Sequence, residues 1–194
     1  VHRRSTIDIH YDTEFLERGP DHPIMLVSIG MVADDGRELY AINADLELSA
    51  VYAHPWLRAH VYPHLPLTSH AGGARCRCVA GHLDRNHPDV HPRAKIARMV
   101  QAFITATPQP RLWAWYGAYD HVVMAQLFGT MADLPGNVPM YTCDVKQECD
   151  RLGNPQLPEQ TAGAHHALAD ARHVQRMRRF LADVDSTFGP RDPQ

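Results

Sequence analysis

The chain has 194 residues, 44% of them hydrophobic and 21% charged, which are the proportions of one globular domain with a full core. Its formal net charge of −3 leaves no overall basic excess of the kind that marks a general polyanion binder. No apolar run approaches a membrane span, no signal-peptide pattern opens the chain, and Cys76, Cys78, Cys143 and Cys149 form no secreted disulfide framework; a cytoplasmic protein with reduced thiols and no membrane partner is expected.

Ile7, Ile9 and Tyr11 alternate with polar residues, which predicts a strand from Thr6 to Asp12. The stretch YDTEF (11–15) closes it with Asp12 and Glu14 two residues apart, and so on one face. Paired carboxylates repel each other and lose solvation if buried. Either the strand end lies in water or another charge compensates them. Residues 23–33 form a nearly continuous apolar run, as in a central strand covered on both faces. The turn DDG (34–36) then leads into an alternating return strand, 37–43, so the first three strands form a meander. A short helix is expected around Trp56–Val61, stopped by Pro63.

Helical spacing of Ile96, Met99, Val100, Phe103 and Ile104 predicts a helix over 93–106, with Pro92 suited to its first turn. A strand (111–116), a helix ending at Gly129 (119–129), a short last strand (139–144) and a helix closed by Gly153 (145–153) follow. The final helix, 165–184, carries the apolar stripe Leu168, Ala171, Val174, Met177 and Leu181, and residues 185–194 read as a flexible tail. Three strands followed by alternating helices and strands predict an α/β fold, a mixed sheet with helices on its faces.

Acids recur at later junctions. Asp120 sits where the strand RLWAWY hands over to a helix, and Asp170 lies in the first turns of the last helix. Functional groups in α/β sheets gather outside strand ends. If the strands of Asp12 and Asp120 are parallel neighbours, Asp12, Glu14, Asp120 and Asp170 face one pocket. Four carboxylates there need cations, and their oxygens suit hard divalent ions, Mg²⁺ or Mn²⁺. Each motif alone has a bland reading: a turn acid, a helix cap, a helix-dipole acid. Their joint order and placement favour a metal site.

DTE on the first strand, YD opening a helix after a middle strand, and HxAxxD on the last helix resemble the DEDDh 3′→5′ exonucleases of the ribonuclease H-like superfold. Within that family, YDTEF, LWAWYGAYDHV and HHALADAR are most similar to the actinobacterial exoribonuclease AS group, which degrades RNA from the 3′ end and favours polyadenylate. The resemblance implies two Mg²⁺ ions, with Mn²⁺ as a substitute, held by Asp12, Glu14, Asp120 and Asp170. It implies His165 as general base, with His166 merely intervening. It further implies a single-stranded RNA substrate and a homodimer. A DNA exonuclease of the proofreading kind and a non-catalytic RNA-binding module on the same fold are the alternatives. All four acids and the histidine are present, which speaks against decayed catalysis.

Thr13, Phe15 and Leu16, at and just after the acidic pair, are expected substrate contacts, as are Tyr116 and Tyr119 beside Asp120. Trp113 and Trp115 alternate on a strand and read as core. Arg172, Arg176, Arg178 and Arg179 make the last helix basic, usually a solvated face. Residues 66–92 hold His70, Cys76, Cys78, His82, His87 and His91 without the spacing of common zinc sites. They are expected to form a mobile insert at the rim of a domain spanning 6–184.

Overall fold

The computed structural model describes residues 6–68 and 80–188. The expected meander is present as β1 (Ile7–Leu16), β2 (Met25–Ala33) and β3 (Glu38–Asn43), antiparallel in sequence order. β1 does not stop at Asp12. Backbone pairing with β2 continues to Leu16 opposite Met25, with a register irregularity between Glu14 and Phe15. Ladder hydrogen bonds are blind to side-chain charge, so the acids end the apolar pattern without ending the strand.

Two short helices follow, α1 (Leu48–Ala53) and α2 (Pro55–His60). The sequence announced only the second. α1 buries one residue, Val51, so it leaves no apolar period to read. His54 separates the two and caps α2, its Nδ1 accepting from the Leu57 N–H at 3.3 Å, with Pro55 at the first helical position.

The insert is tied down at both ends. β4 (Leu67–Thr68) pairs with β5 (His82–Leu83), and β6 (Val90–His91) adds to β3 in parallel. His70, Cys76 and Cys78 lie outside the described residues.

α3 (Arg93–Thr105) starts after Pro92, which caps it from outside the helix rather than within the first turn. β7 (Pro110–Ala114) runs parallel to β1 and pairs Ile7 with Pro110 through His10 with Trp113. It ends two residues earlier than expected. Tyr116 takes φ +52°, which breaks the strand and turns the chain into α4 (Ala118–Ala125). β8 (Cys143–Asp144) adds at the edge beside β7, and α5 (Val145–Arg151) follows, capped by Asp144. α6 (Ala167–Phe188) starts after His165 and His166 and continues into the segment expected to be a tail.

The sheet order is β6-β3-β2-β1-β7-β8. One face packs Ile9, Tyr11, Ile29 and Met31 against Ile96, Val100 and Ile104 of α3 and Val123 and Met124 of α4. α6 crosses the other face and joins α5 around Trp113, Val174, Met177 and Leu181. This is the mixed α/β architecture the sequence predicted, with helices on both faces.

The strands and α6 meet with almost no clearance. Gly30 of β2 lies opposite Asp12 in the register, and a Cβ there would sit 2.3 Å from the Leu168 nitrogen and 2.4 Å from the Ala167 carbonyl carbon. Only glycine lets the first turn of α6 rest on the sheet at this point. Gly30→Ala should therefore destabilise the fold by about 1–3 kcal/mol, the usual cost of overpacking. Urea denaturation measures it, and an unchanged midpoint would mean that the helix yields freely.

Candidate active site

Parallel pairing of β1 with β7 brings the chain leaving β7 to the same end of the sheet as Asp12 and Glu14. The close seat of α6 on Gly30 brings Asp170 there from the other side. A cavity of about 600 Å³ results, lined by Asp12, Glu14, Asp120, His165 and Asp170 together with Thr13, Phe15, Glu17, Gly19, His54, Trp56 and Leu57. Glu14, His165 and Asp170 offer ligand atoms within 4.8 Å of one another.

Each acid has its own anchor. Asp120 is buried, and its Oδ1 accepts both the Thr13 N–H at 2.8 Å and the Thr13 hydroxyl at 2.7 Å. Asp170 accepts the His165 N–H on Oδ2 at 2.8 Å and the Gln160 amide on Oδ1 at 2.6 Å. Asp12 and Glu14 are placed by the strand itself, on the face that α6 covers. His165 sits at φ +65°, which aims its ring into the cavity, edge-on to Trp56 at 4.8 Å and to His60 at 5.0 Å. His166 turns away and stacks on Tyr40 at 4.4 Å.

The electrostatics are lopsided. Burial, then the charges of Asp120, Glu14 and Asp170, hold the Asp12 carboxyl well above the usual range. Burial, then Asp170 and Asp120, push Glu14 up to about 8. Burial raises Asp120 to about 6 against the pull of the Thr13 hydrogen bonds. Among the described residues no lysine or arginine pairs with any of the four acids. A second cluster shows the contrast. Asp8, His10 and Asp34 also lie within 4.8 Å of one another, but Arg111 clamps Asp8 at 2.6 and 3.0 Å and Arg179 reaches Asp34 at 3.3 Å. That cluster is compensated by the chain, whereas the four acids are not. Their oxygen-rich donor set fits a divalent cation held by Asp12, Glu14, Asp120 and Asp170.

The substrate contacts expected from sequence fare unevenly. Phe15 lines the cavity and stacks on Tyr119 at the rim, ring centroids 6.0 Å apart. Thr13 lines it too, but its hydroxyl is committed to Asp120. Leu16 is a correction: it is 3% exposed and packs with Val27, Ile42 and Leu57, because the strand continues past the acids and carries it into the core. Tyr116 and Tyr119 are both exposed beside Asp120 and outside the cavity lining. Trp113 is core as expected, held between Arg111 and Arg178, while Trp115 is only half-buried. Arg172 pairs with Glu38, so the basic face of α6 is partly spent within the fold.

Sequence reasoning missed Trp56, His54, His60 and Gln160. Trp56 is 45% exposed at the cavity. A tryptophan between histidines on a six-residue helix that buries only Leu57 was the available signal.

The raised carboxyls predict a pH effect with a definite sign. A group whose folded pKa exceeds its unfolded value stabilises the fold at low pH, and that contribution is lost as pH rises through the folded value. For Glu14 the loss runs from 4.5 to about 8. Burial holds His10 down at about 4, so it gives the opposite trend, but only below 6.5. In chelator, therefore, the melting temperature should fall between about pH 6.5 and 8. Mn²⁺ or Glu14→Gln should flatten that slope. A wild-type slope that is flat or rising in chelator would show that the acids are compensated from within.

No protein-family model matches the chain. Over 175 residues it is 38% identical to the 3′-5′ exoribonuclease Rv2179c of Mycobacterium tuberculosis H37Rv, a match that covers 90% of this chain and 93% of the relative. The same values hold for the 3′-5′ exoribonuclease MT2234.1 of the CDC 1551 strain. Among solved structures, E. coli exonuclease I is similar. Its zinc-bound complex with single-stranded DNA gives a TM-score of 0.58 at 13% identity over 97% of this chain and 42% of that one. Its complex with a dT13 oligonucleotide gives 0.58 at 13% identity over 94% and 42%. This chain thus spans about two fifths of exonuclease I, and the likeness is one of fold. With the ribonuclease H-like sheet, the cavity of acids and the mycobacterial relatives together, the chain belongs to the 3′-5′ exoribonuclease family and is a 3′-5′ exonuclease.

Proposed function

We propose that this enzyme is a two-metal-ion exoribonuclease that removes nucleoside 5′-monophosphates from the 3′ end of single-stranded RNA and prefers polyadenylate. The observation that carries the reading is the convergence of four uncompensated carboxylates and one histidine on a single cavity. The names of the mycobacterial relatives support RNA as the substrate. The family resemblance adds Mg²⁺ as the usual ion and a homodimer, and cysteines that form no secreted disulfide framework support a cytoplasmic location.

When bound, two divalent ions would neutralise the scissile phosphate and stabilise the leaving 3′ oxygen. Asp12, Glu14 and Asp170 would hold them. Asp120 supports the site through Oδ2, since Thr13 occupies its other oxygen. His165, which lines the cavity beside the acids, takes the proton of the attacking water. Trp56 and Phe15 present aromatic faces to an unpaired base.

End-labelled poly(A), poly(U) and single-stranded DNA, digested with Mg²⁺ and with chelator, test the substrate. Poly(A) should shorten fastest from its 3′ end, DNA slowest, and chelator should stop all three. Faster loss of DNA would replace this reading with a proofreading-type DNA exonuclease, the reading that the exonuclease I fold keeps in view.

The histidine pair tests the mechanism. His165→Ala should slow the chemical step by about 10²–10⁴ while leaving Mn²⁺ binding nearly intact. His166→Ala should do far less, because that ring packs on Tyr40 outside the cavity. Single-turnover kinetics on a short oligoadenylate compare them. A greater loss in His166→Ala would remove His165 from its role.

A further inference from the structure

Gln160 lies in the segment between α5 and α6, ten residues ahead of Asp170. Its amide donates to Asp170 Oδ1 at 2.6 Å and, at 3.4 Å, to the carbonyl of Ala162. The second Asp170 oxygen takes the His165 N–H at 2.8 Å. One carboxylate is therefore tied through both oxygens to the loop that carries the catalytic histidine. That loop is tightly shaped. Gly163 and His165 both take positive φ, at +73° and +65°, and a Cβ on Gly163 would meet the Ala169 Cβ at 2.9 Å. His64 braces it from outside, Nε2 to the Ala164 oxygen at 3.2 Å.

We infer that Gln160 is a positioning residue, which orients the Asp170 carboxylate for a cation and couples that site to the placement of His165. The inference rests on reading Asp170 as a metal ligand. An ionised carboxylate offers about four acceptor sites, so one donor on each oxygen leaves lone pairs free to face the cavity. The chemistry of the donor matters. A lysine or arginine here would orient Asp170 but cancel its charge. A neutral amide orients it and leaves the full negative charge for the ion. Thr13 treats Asp120 in the same way, with an N–H and a hydroxyl. Two of the four acids are thus aimed by neutral donors, as expected of outer partners that orient metal ligands.

The test is calorimetric titration of the full chain with Mn²⁺. Gln160→Met is nearly isosteric and has no donor. It should bind Mn²⁺ about 10–100-fold more weakly, with its melting temperature in chelator unchanged. Gln160→Asn, too short to reach Asp170, should behave alike and serves if the first variant folds poorly. Gln156→Ala, an exposed position in the same segment, should bind as wild type does. Because the Asp170–His165 tie is loosened, the single-turnover rate on oligoadenylate should stay below wild type even at saturating Mn²⁺. Equal or tighter binding in Gln160→Met would overturn the inference, since the amide would then be idle or a competitor of the ion. So would weaker binding matched by an equal loss of thermal stability, the mark of a merely structural contact. If wild type binds no Mn²⁺, the ligand reading of Asp170 itself fails and the inference falls with it.

Discussion

Repulsion among Asp12, Glu14, Asp120 and Asp170 is what the rest of this structure has to oppose. The energy comes from placing like charges together where water is scarce. No arginine or lysine among the described residues relieves it, although the neighbouring group of Asp8 and Asp34 is relieved by Arg111 and Arg179. The fold instead holds the acids by force of backbone. Two sit on β1 where it pairs with β2, one at the start of a helix anchored by Thr13, and one in the first turn of a helix pressed onto Gly30. On the function proposed above, a divalent cation would offset this repulsion on binding.

The same framework shapes the other half of the cavity. α2 buries only Leu57, and so leaves Trp56, with His54 just ahead of the helix, to line the cavity beside the acids. Trp56 and His60 meet the His165 ring edge-on, which limits its rotation. His165 itself holds a backbone conformation that is uncommon for a residue with a Cβ. Its tie to Asp170 and the packing around the ring offset that strain. His165 and Asp170 are thus fixed by one set of contacts.

Much of this was legible in the chain. The first meander, the helix with Ile96 and Val100 inward, and the long last helix followed from periodicity, because each buries one broad apolar face. The acids and His165 were legible because they sit at fixed junctions of strand and helix. Periodicity was less informative where little is buried. α1 went unread for that reason, and β1 was cut short at Asp12 although its pairing runs on to Leu16.

Tertiary structure decided the rest. Leu16 and Phe15 are neighbours in sequence, yet the pleat sends one into the core and the other into the cavity. The sequence pattern left that choice open, because both residues are apolar and suit either place. Trp56, His54 and Gln160 reach the site only because α2 and the loop before α6 fold over the sheet, a long-range arrangement that no local spacing encodes. The chain by itself determined which charged groups meet at one cavity, since charge and spacing mark them. Only the fold decided which groups aim them, since aiming depends on contacts between segments far apart in sequence.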